Sequence, residues 1–357
     1  MGPGFESLKV HQKIQATRLG FFISFKHFIY LNAIHFSSKR QVFVLFFYLI
    51  LVATAFSATV QNIFKQKFNE KCKSPGAYLF STLTAAAAMI FFIAVNLCYS
   101  KDWYYSAELL LPSFGFAVSF ACATVFSVLA ILYGPLAKTS LIISCSLLIP
   151  CLYGIFVQGI YIKVIRDGSA TLSDALADAL SPTLIIGLLL LVATLFLVNY
   201  KKKNENTEKK KITLKWLVFA LLAFLGNGMC STVQAAKQDF YGNEGNNSFM
   251  IVALAIVAVI LLLVSLIFKS ERKNIKETVS KGWMLALLCG VANGLTNFFV
   301  MLLNENKIPA SVIFPVVSGG GLLMIFLWSV LVKKEKFNIP QYIGYALGVV
   351  SLVLLNI

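Results

Sequence analysis

The chain has 357 residues, of which 58% are hydrophobic and only 13% charged, with a mean hydropathy of +0.79. Ordinary soluble domains carry about 25% charged residues, and a soluble fold of this size has too little interior to hide so much apolar surface. A soluble enzyme, a disordered chain and a fibrous repeat are therefore excluded, and the net charge of +16 reads as a membrane topology signal, since most Lys and Arg lie between apolar runs.

Residues 1–41 form a basic extension. Within it, 20–36 (GFFISFKHFIYLNAIHF) is apolar but carries Lys26, His27, Asn32 and His35. A charge near mid-span is costly, so the segment reads as interfacial, with an eleventh span as the alternative. No small-residue cleavage site follows it, so it does not read as a signal peptide. Ten apolar runs of helical length then follow, near 42–63, 77–99, 111–133, 136–157, 182–199, 216–236, 248–268, 283–304, 308–332 and 339–356. They lack the period-2 alternation of barrel strands. Trp103, Trp216, Trp283 and Trp328 sit near span ends, where interfacial anchoring places them. Residues 158–181 read as a longer loop with a short helix near 172–180. The linker 201–213 opens with KKKNENTEKKK. Its basic residues have no interleaved aromatics, so no nucleic-acid partner is expected.

An internal repeat organises these runs. Residues 57–61 read SATVQ and residues 230–234 read CSTVQ. Pro135-Leu-Ala-Lys-Thr-Ser140 is similar to Ile308-Pro-Ala-Ser311, and Gly187 with Thr194–Asn199 is similar to Gly344 with Ser351–Asn356. The three matches occur in the same order at compatible offsets. They divide the chain into five-helix units at 42–200 and 214–357. Five spans are odd in number, so the second unit returns upside down. Loops after odd-numbered spans, counting Lys138 at the start of the fourth span, carry 20 Lys and Arg, and loops after even-numbered spans carry 5. Matching loops thus have opposite bias, as inverted halves require. The expected fold is all-α and integral to the membrane, with ten transmembrane helices as two inverted five-helix repeats.

At 134–140 the chain reads GPLAKTS, at 309–321 PASVIFPVVSGGG, and from 333 KKEKF followed by QYIG at 341–344. With the two five-span halves, these stretches resemble the ten-span EamA-like branch of the drug/metabolite transporter superfamily. The resemblance covers about 42–357. It implies alternating-access transport of a small solute, often export, through a cavity between the halves. Two departures stand out. Gln158-Gly159 occupies the place where the family pattern has an acidic residue after the fourth span. The membrane carboxylate of small multidrug-resistance relatives falls on Thr54 and Asn227, and neither ionises.

No Asp or Glu lies well inside the ten runs, which disfavours a carboxylate-based cation or proton site and favours a neutral or zwitterionic solute. The polar residues within the runs fall on helical faces. Thr54, Ser57 and Gln61 are spaced i, i+3, i+7, and Asn227, Cys230 and Gln234 repeat that spacing. Asn293 and Asn297 are i, i+4 with Thr296 beside them, as are Ser140 and Ser144. Gln61, Asn227, Gln234, Asn293 and Asn297 are the leading solute contacts, with Ser140, Ser144 and Ser318 behind them. The bland alternative for each is hydrogen bonding between helices. Pro150 and Pro315 are candidates for helix kinks. Gly319, Gly320 and Gly321 read either as an unwound stretch exposing backbone to solute or as a close-packing surface.

Three histidines precede the first clear span. The seven cysteines include no CxxC pair and read as small buried side chains. No cofactor, metal site or enzymatic constellation is therefore expected. The partners are a small-molecule solute and the lipid bilayer, with a homodimer as a further candidate. The expected location is the plasma membrane with loop 201–211 in the cytoplasm. Alternatives are a flippase for lipid or lipid-linked sugar and a non-transporting membrane scaffold. A cysteine placed at Glu205 is expected to resist an impermeant thiol reagent applied to intact cells. Labelling from outside would reverse the orientation.

Overall fold

The computed structural model describes residues 38–72, 76–100, 103–134, 139, 142–143, 145–168, 170–179, 181–198, 213–306, 310–331 and 338–354. The 20–36 segment, loop 201–211, Ser140 and Ser144 lie outside the described residues, as do the side chains of Pro315 and Ser318.

Among the described residues the regular structure is helical. The helices are α1 (Ser38–Lys71), α2 (Ala77–Val95), α3 (Leu110–Tyr133), α4 (Leu148–Tyr153, widening into π-type turns over Gly154–Arg166), α5 (Leu172–Ala179) and α6 (Pro182–Val198). They continue with α7 (Leu214–Tyr241), α8 (Asn246–Ile267), α9 (Lys269–Glu305), α10 (Ala310–Leu331) and α11 (Ile339–Leu354). Seven are long and apolar enough to cross a membrane: Phe46–Lys71, Ala77–Tyr99, Ala107–Tyr133, Leu148–Arg166, Leu214–Tyr241, Asn246–Ile267 and Lys269–Glu305. Pro182–Thr194 in α6 and Gly319–Trp328 in α10 are apolar but shorter.

Several helices outrun the apolar stretches that mark them. α1 continues from 63 to Lys71 through KQKFNEK, and α9 begins at Lys269, not near 283, through KSERKNIKETVSK. These flanks are rich in Lys, Glu and Gln, which propagate helix well but register as polar on any hydropathy reading. The 37 residues of α9 make a rod of about 55 Å, well beyond a hydrocarbon core of about 30 Å. The fourth span likewise runs to Arg166 instead of closing near 157. Pro150 lies in its first turn, where a missing N–H is tolerated, and the helix widens to π-type turns from Gly154.

The helices pack through small residues. α3 lies along α7, α9 lies along both α1 and α2, α8 lies along α2, and α6 lies along α11. A Cβ added at Gly290 on α9 would stand 2.5 Å from both Ala87 Cβ and the Thr84 carbonyl of α2. One at Gly226 on α7 would stand 2.5 Å from Ala123 N and 2.7 Å from the Ser119 carbonyl of α3. Both glycines let backbones approach directly, as is common in bundles. A buried cluster that includes Phe68, Phe80, Phe92, Phe116, Phe249 and Leu254 fills the space around α2, α3, α8 and α9. A second, including Leu191, Leu303 and Ile313, joins α6, α9 and α10.

The glycine run at 319–321 stays α-helical. Gly320 and Gly321 rest on Ala55 and Thr59 of α1, and Thr59 Oγ1 donates to the Gly321 carbonyl at 3.3 Å. The run is a contact surface in a continuous helix, not an unwound stretch. Trp216 stands at the start of α7, near a span end as expected, but faces protein. It is buried against Gly134 and donates from Nε1 to Thr139 Oγ1 at 2.8 Å.

Overpacking at a backbone contact costs about 1–3 kcal/mol, more than the gain of up to about 1 kcal/mol in helix propensity from Gly to Ala. Gly290→Ala is therefore expected to lower the melting temperature of the purified protein in detergent. Gly321→Ala, whose methyl would meet nothing nearer than 3.7 Å, is expected to leave it unchanged. Equal melting temperatures for the two variants would show that the α2–α9 contact is not tight.

Candidate functional site

The middle of the bundle holds a line of side-chain amides from three helices. Gln61 on α1 donates from Nε2 to Thr296 Oγ1 at 2.8 Å and to the Ala292 carbonyl at 3.4 Å. Its Oε1 accepts from Asn293 Nδ2 at 3.0 Å. Asn297 Nδ2 donates to Asn293 Oδ1 at 3.0 Å, and Asn297 Oδ1 accepts from Gln234 Nε2 of α7 at 3.1 Å. Gln61 and Gln234 are 8% and 3% exposed, so water does not satisfy these groups. An unpartnered buried polar group costs about 1–3 kcal/mol, and here each amide answers the next. The i, i+4 spacing of Asn293 and Asn297 puts both on the face of α9 that meets α1 and α7.

The direction of the line follows from the packing. Phe68 of α1 meets Gly282 of α9, while Gln61 meets Ala292 and Asn293, so α1 and α9 run antiparallel. Gln234 meets Asn297, and Asn246 just beyond α7 donates to Glu305 at the end of α9, so α7 and α9 run parallel. The order along the bundle is therefore Gln61, Asn293, Asn297, Gln234.

One turn beyond each end lies another polar side chain. Lys65 is i+4 from Gln61 and donates to Ser127 Oγ of α3 at 3.1 Å. On α9, Cys289 contacts the Gln61 carbonyl at 3.8 Å. Gln238 is i+4 from Gln234, and both its Oε1 and Nε2 are buried with no hydrogen-bond partner among the described residues. The whole line covers about 18 Å of helix axis, three four-residue steps at about 1.5 Å per residue.

Asn227 stands apart. It is seven residues before Gln234, about 10 Å along α7, and its Nδ2 donates to Ser146 Oγ at 2.7 Å. Thr54 satisfies itself on the Ile50 carbonyl at 2.6 Å. Four of the five leading candidates thus come together, and the fifth forms a separate pair with a serine not singled out from sequence.

The sequence reading placed Lys65 in a loop, because the apolar run ends near 63. The structure places it inside α1, packed on α3. It stands near the end of the span Phe46–Lys71, one turn beyond Gln61. The signal was available in its i+4 spacing from Gln61.

Carboxylates are also more enclosed than the sequence implied, though all lie near helix ends. Asp239 Oδ2 accepts from Tyr153 Oη at 2.9 Å and Gln158 Nε2 at 2.8 Å. Arg166 donates to the Asp239 carbonyl at 2.9 Å, and Gln158 Oε1 accepts from Ala310 N at 3.3 Å. This group ties α7 to α4 and to the start of α10. Glu271, 3% exposed, accepts from Leu79 N at 3.4 Å and so caps the positive N-terminus of α2. Lys237, 1% exposed, donates to the Gly242 and Glu244 carbonyls at 2.8 and 2.7 Å and to Asn246 Oδ1. It clasps the turn between α7 and α8, where Gly242 and Gly245 have φ of 73° and 68°, a region that favours glycine. A cleft of about 570 Å³ lies beside that turn, lined by Leu111, Pro112, Val233 and Phe240 among others. The described cysteines are unpaired, and no group of three His, Cys, Asp or Glu side chains among the described residues could hold a metal ion.

Residues 241–357 match the EamA-like transporter family. No curated protein sequence matches the chain. Among solved structures, one crystal structure aligns with a TM-score of 0.57 at 14% identity, over 85% of this chain and 95% of its own length, a likeness of fold. The match takes in α8 to α11, including the Asn293–Asn297 face of the amide line. The chain is an integral membrane protein whose residues 241–357 are similar to the EamA-like transporter family.

Proposed function

We propose that the protein moves a small solute across the plasma membrane by alternating access between two inverted five-helix halves, in the export direction, with loop 201–211 in the cytoplasm. The observation that carries this reading is the amide line of Gln61, Asn293, Asn297 and Gln234. It lies where α1 and α7, the first helices of the two halves, both meet α9. The packing pattern supports the inverted relation. Exchanging the halves carries α1–α9 onto α7–α3 and α1–α10 onto α7–α4, and it maps the α2–α8 and α6–α11 pairs onto themselves.

The mechanism follows from how the amides are satisfied. Each bond in the line crosses from one helix to another or orients a residue that does. A solute with donors and acceptors replaces these bonds one for one, which removes the cost of breaking them. It thereby releases α1 and α7 from α9, the motion that opening a path between the halves requires. An apolar solute offers no such exchange. Asn227, paired with Ser146, is a further candidate contact, and Ser140, Ser144 and Ser318 remain candidates from their sequence positions.

The direct test is untargeted metabolite profiling inside and outside cells, comparing deletion with overexpression. A compound that accumulates inside on deletion and outside on overexpression is expected. An inward shift would reverse the direction, and no shift in any soluble compound would overturn solute transport. Gln234→Ala or Asn293→Ala is expected to slow that transport at least tenfold, about one hydrogen bond's worth of binding, at normal membrane abundance. Loss of abundance without a change in rate per molecule would assign these amides to packing alone.

A further inference from the structure

We propose that the transported solute is a small organic anion and that Lys65 supplies the counter-charge for its carboxylate or phosphate group; this rests on the transport reading above. Two enclosed lysines in the same bundle make the argument by contrast. Lys237 has its ammonium filled by two carbonyls and an amide oxygen and has no capacity left. Lys65 has three donors and spends one, on the neutral hydroxyl of Ser127.

No carboxylate pairs with Lys65 among the described residues. The enclosed ones are committed elsewhere: Asp239 to Tyr153 and Gln158, Glu271 to the N-terminus of α2, and Glu305 to Asn246. Positive charge enclosed by protein and lipid is retained where it meets a partner, and polar groups inside membranes mark solute paths.

The placement fits this role. Lys65 is on the same face of α1 as Gln61, one turn along, so its ammonium extends the amide line. At the opposite end Gln238 holds the equivalent i+4 position relative to Gln234, and both of its amide atoms are unpartnered. The line therefore has an uncompensated cation at one end and an unanswered donor–acceptor pair at the other. An acid whose remaining body carries hydroxyl, carbonyl or amide groups satisfies both. A cation is repelled by Lys65, and a purely neutral solute leaves its charge unmatched.

The test compares wild type, Lys65→Gln and Lys65→Arg at matched membrane abundance, by the same metabolite profiling. Wild type is expected to shift at least one compound that is anionic at neutral pH. Lys65→Gln is expected to lose that shift at least tenfold, and Lys65→Arg to keep part of it. Wild-type transport of neutral or cationic compounds only, or transport of the acid by Lys65→Gln at the wild-type rate, would overturn the proposal while leaving solute transport standing. Should wild type shift nothing, the transport reading falls, and the purified full-length protein decides anion binding. Sodium succinate or inorganic phosphate should then raise its melting temperature where neutral succinamide does not, with the effect lost in Lys65→Gln. Stabilisation by succinate alone identifies a carboxylate site, and by phosphate alone a phosphate site. Stabilisation by neither overturns the proposal.

Discussion

The hydrogen bond from Asn293 to Gln61 is the contact on which the centre of this bundle turns. In hydrocarbon an amide has no water to fall back on, so Gln61 can lie there only if α9 brings Thr296, Ala292 and Asn293 to meet it. That requirement fixes the rotation of α1 against α9. Gly290, on the same stretch of α9, allows α2 to approach so closely that backbone meets backbone. Asn297 then passes the same constraint to Gln234 and so to α7. Three helices, α1, α7 and α9, are set by one run of mutually dependent amides.

The two ends of the bundle are held differently. Where α7 ends, Asp239, Gln158, Tyr153 and Arg166 join α7, α4 and α10, and Lys237 closes the following turn. Where α1 ends and α7 and α9 begin, the ties among the described residues are Lys65 to Ser127, Asn69 to the Val128 carbonyl, Leu79 N to Glu271 and Trp216 to Thr139. One end carries a network of charged groups with saturated partners, and the other carries a cation with capacity to spare.

Much of this was legible in the residues. The polar faces at Gln61, Gln234 and Asn293–Asn297 stood out by helical spacing, because an amide in an apolar run is costly and therefore informative. The depth of Asn227 was not legible. It shares a face with Gln234, since seven residues are nearly two full turns, but two turns also carry it about 10 Å away. Lys65 was misplaced because hydropathy ends a span where charge begins, whereas the helix and its packing continue. The Asp239 group was invisible for another reason: Tyr153 and Gln158 lie more than 80 positions away, and only tertiary packing brings them to the carboxylate. Gly319–Gly321 was readable in two ways, and the neighbouring face of α1 decides between them.

The length of α9 has a mechanical consequence. It is one unbroken helix from Lys269 to Glu305, gripped at Asn293 by the amide line and at Glu271 by the start of α2. These two grips are 22 residues, or about 33 Å, apart on a single rod, so tilting α9 by about 10° at Asn293 sweeps Glu271 through about 6 Å. A rearrangement of one or two hydrogen bonds in the middle of the membrane thus becomes a displacement the size of a side chain at its edge. α9 is in this sense a lever whose short arm carries the amides and whose long arm carries the start of α2.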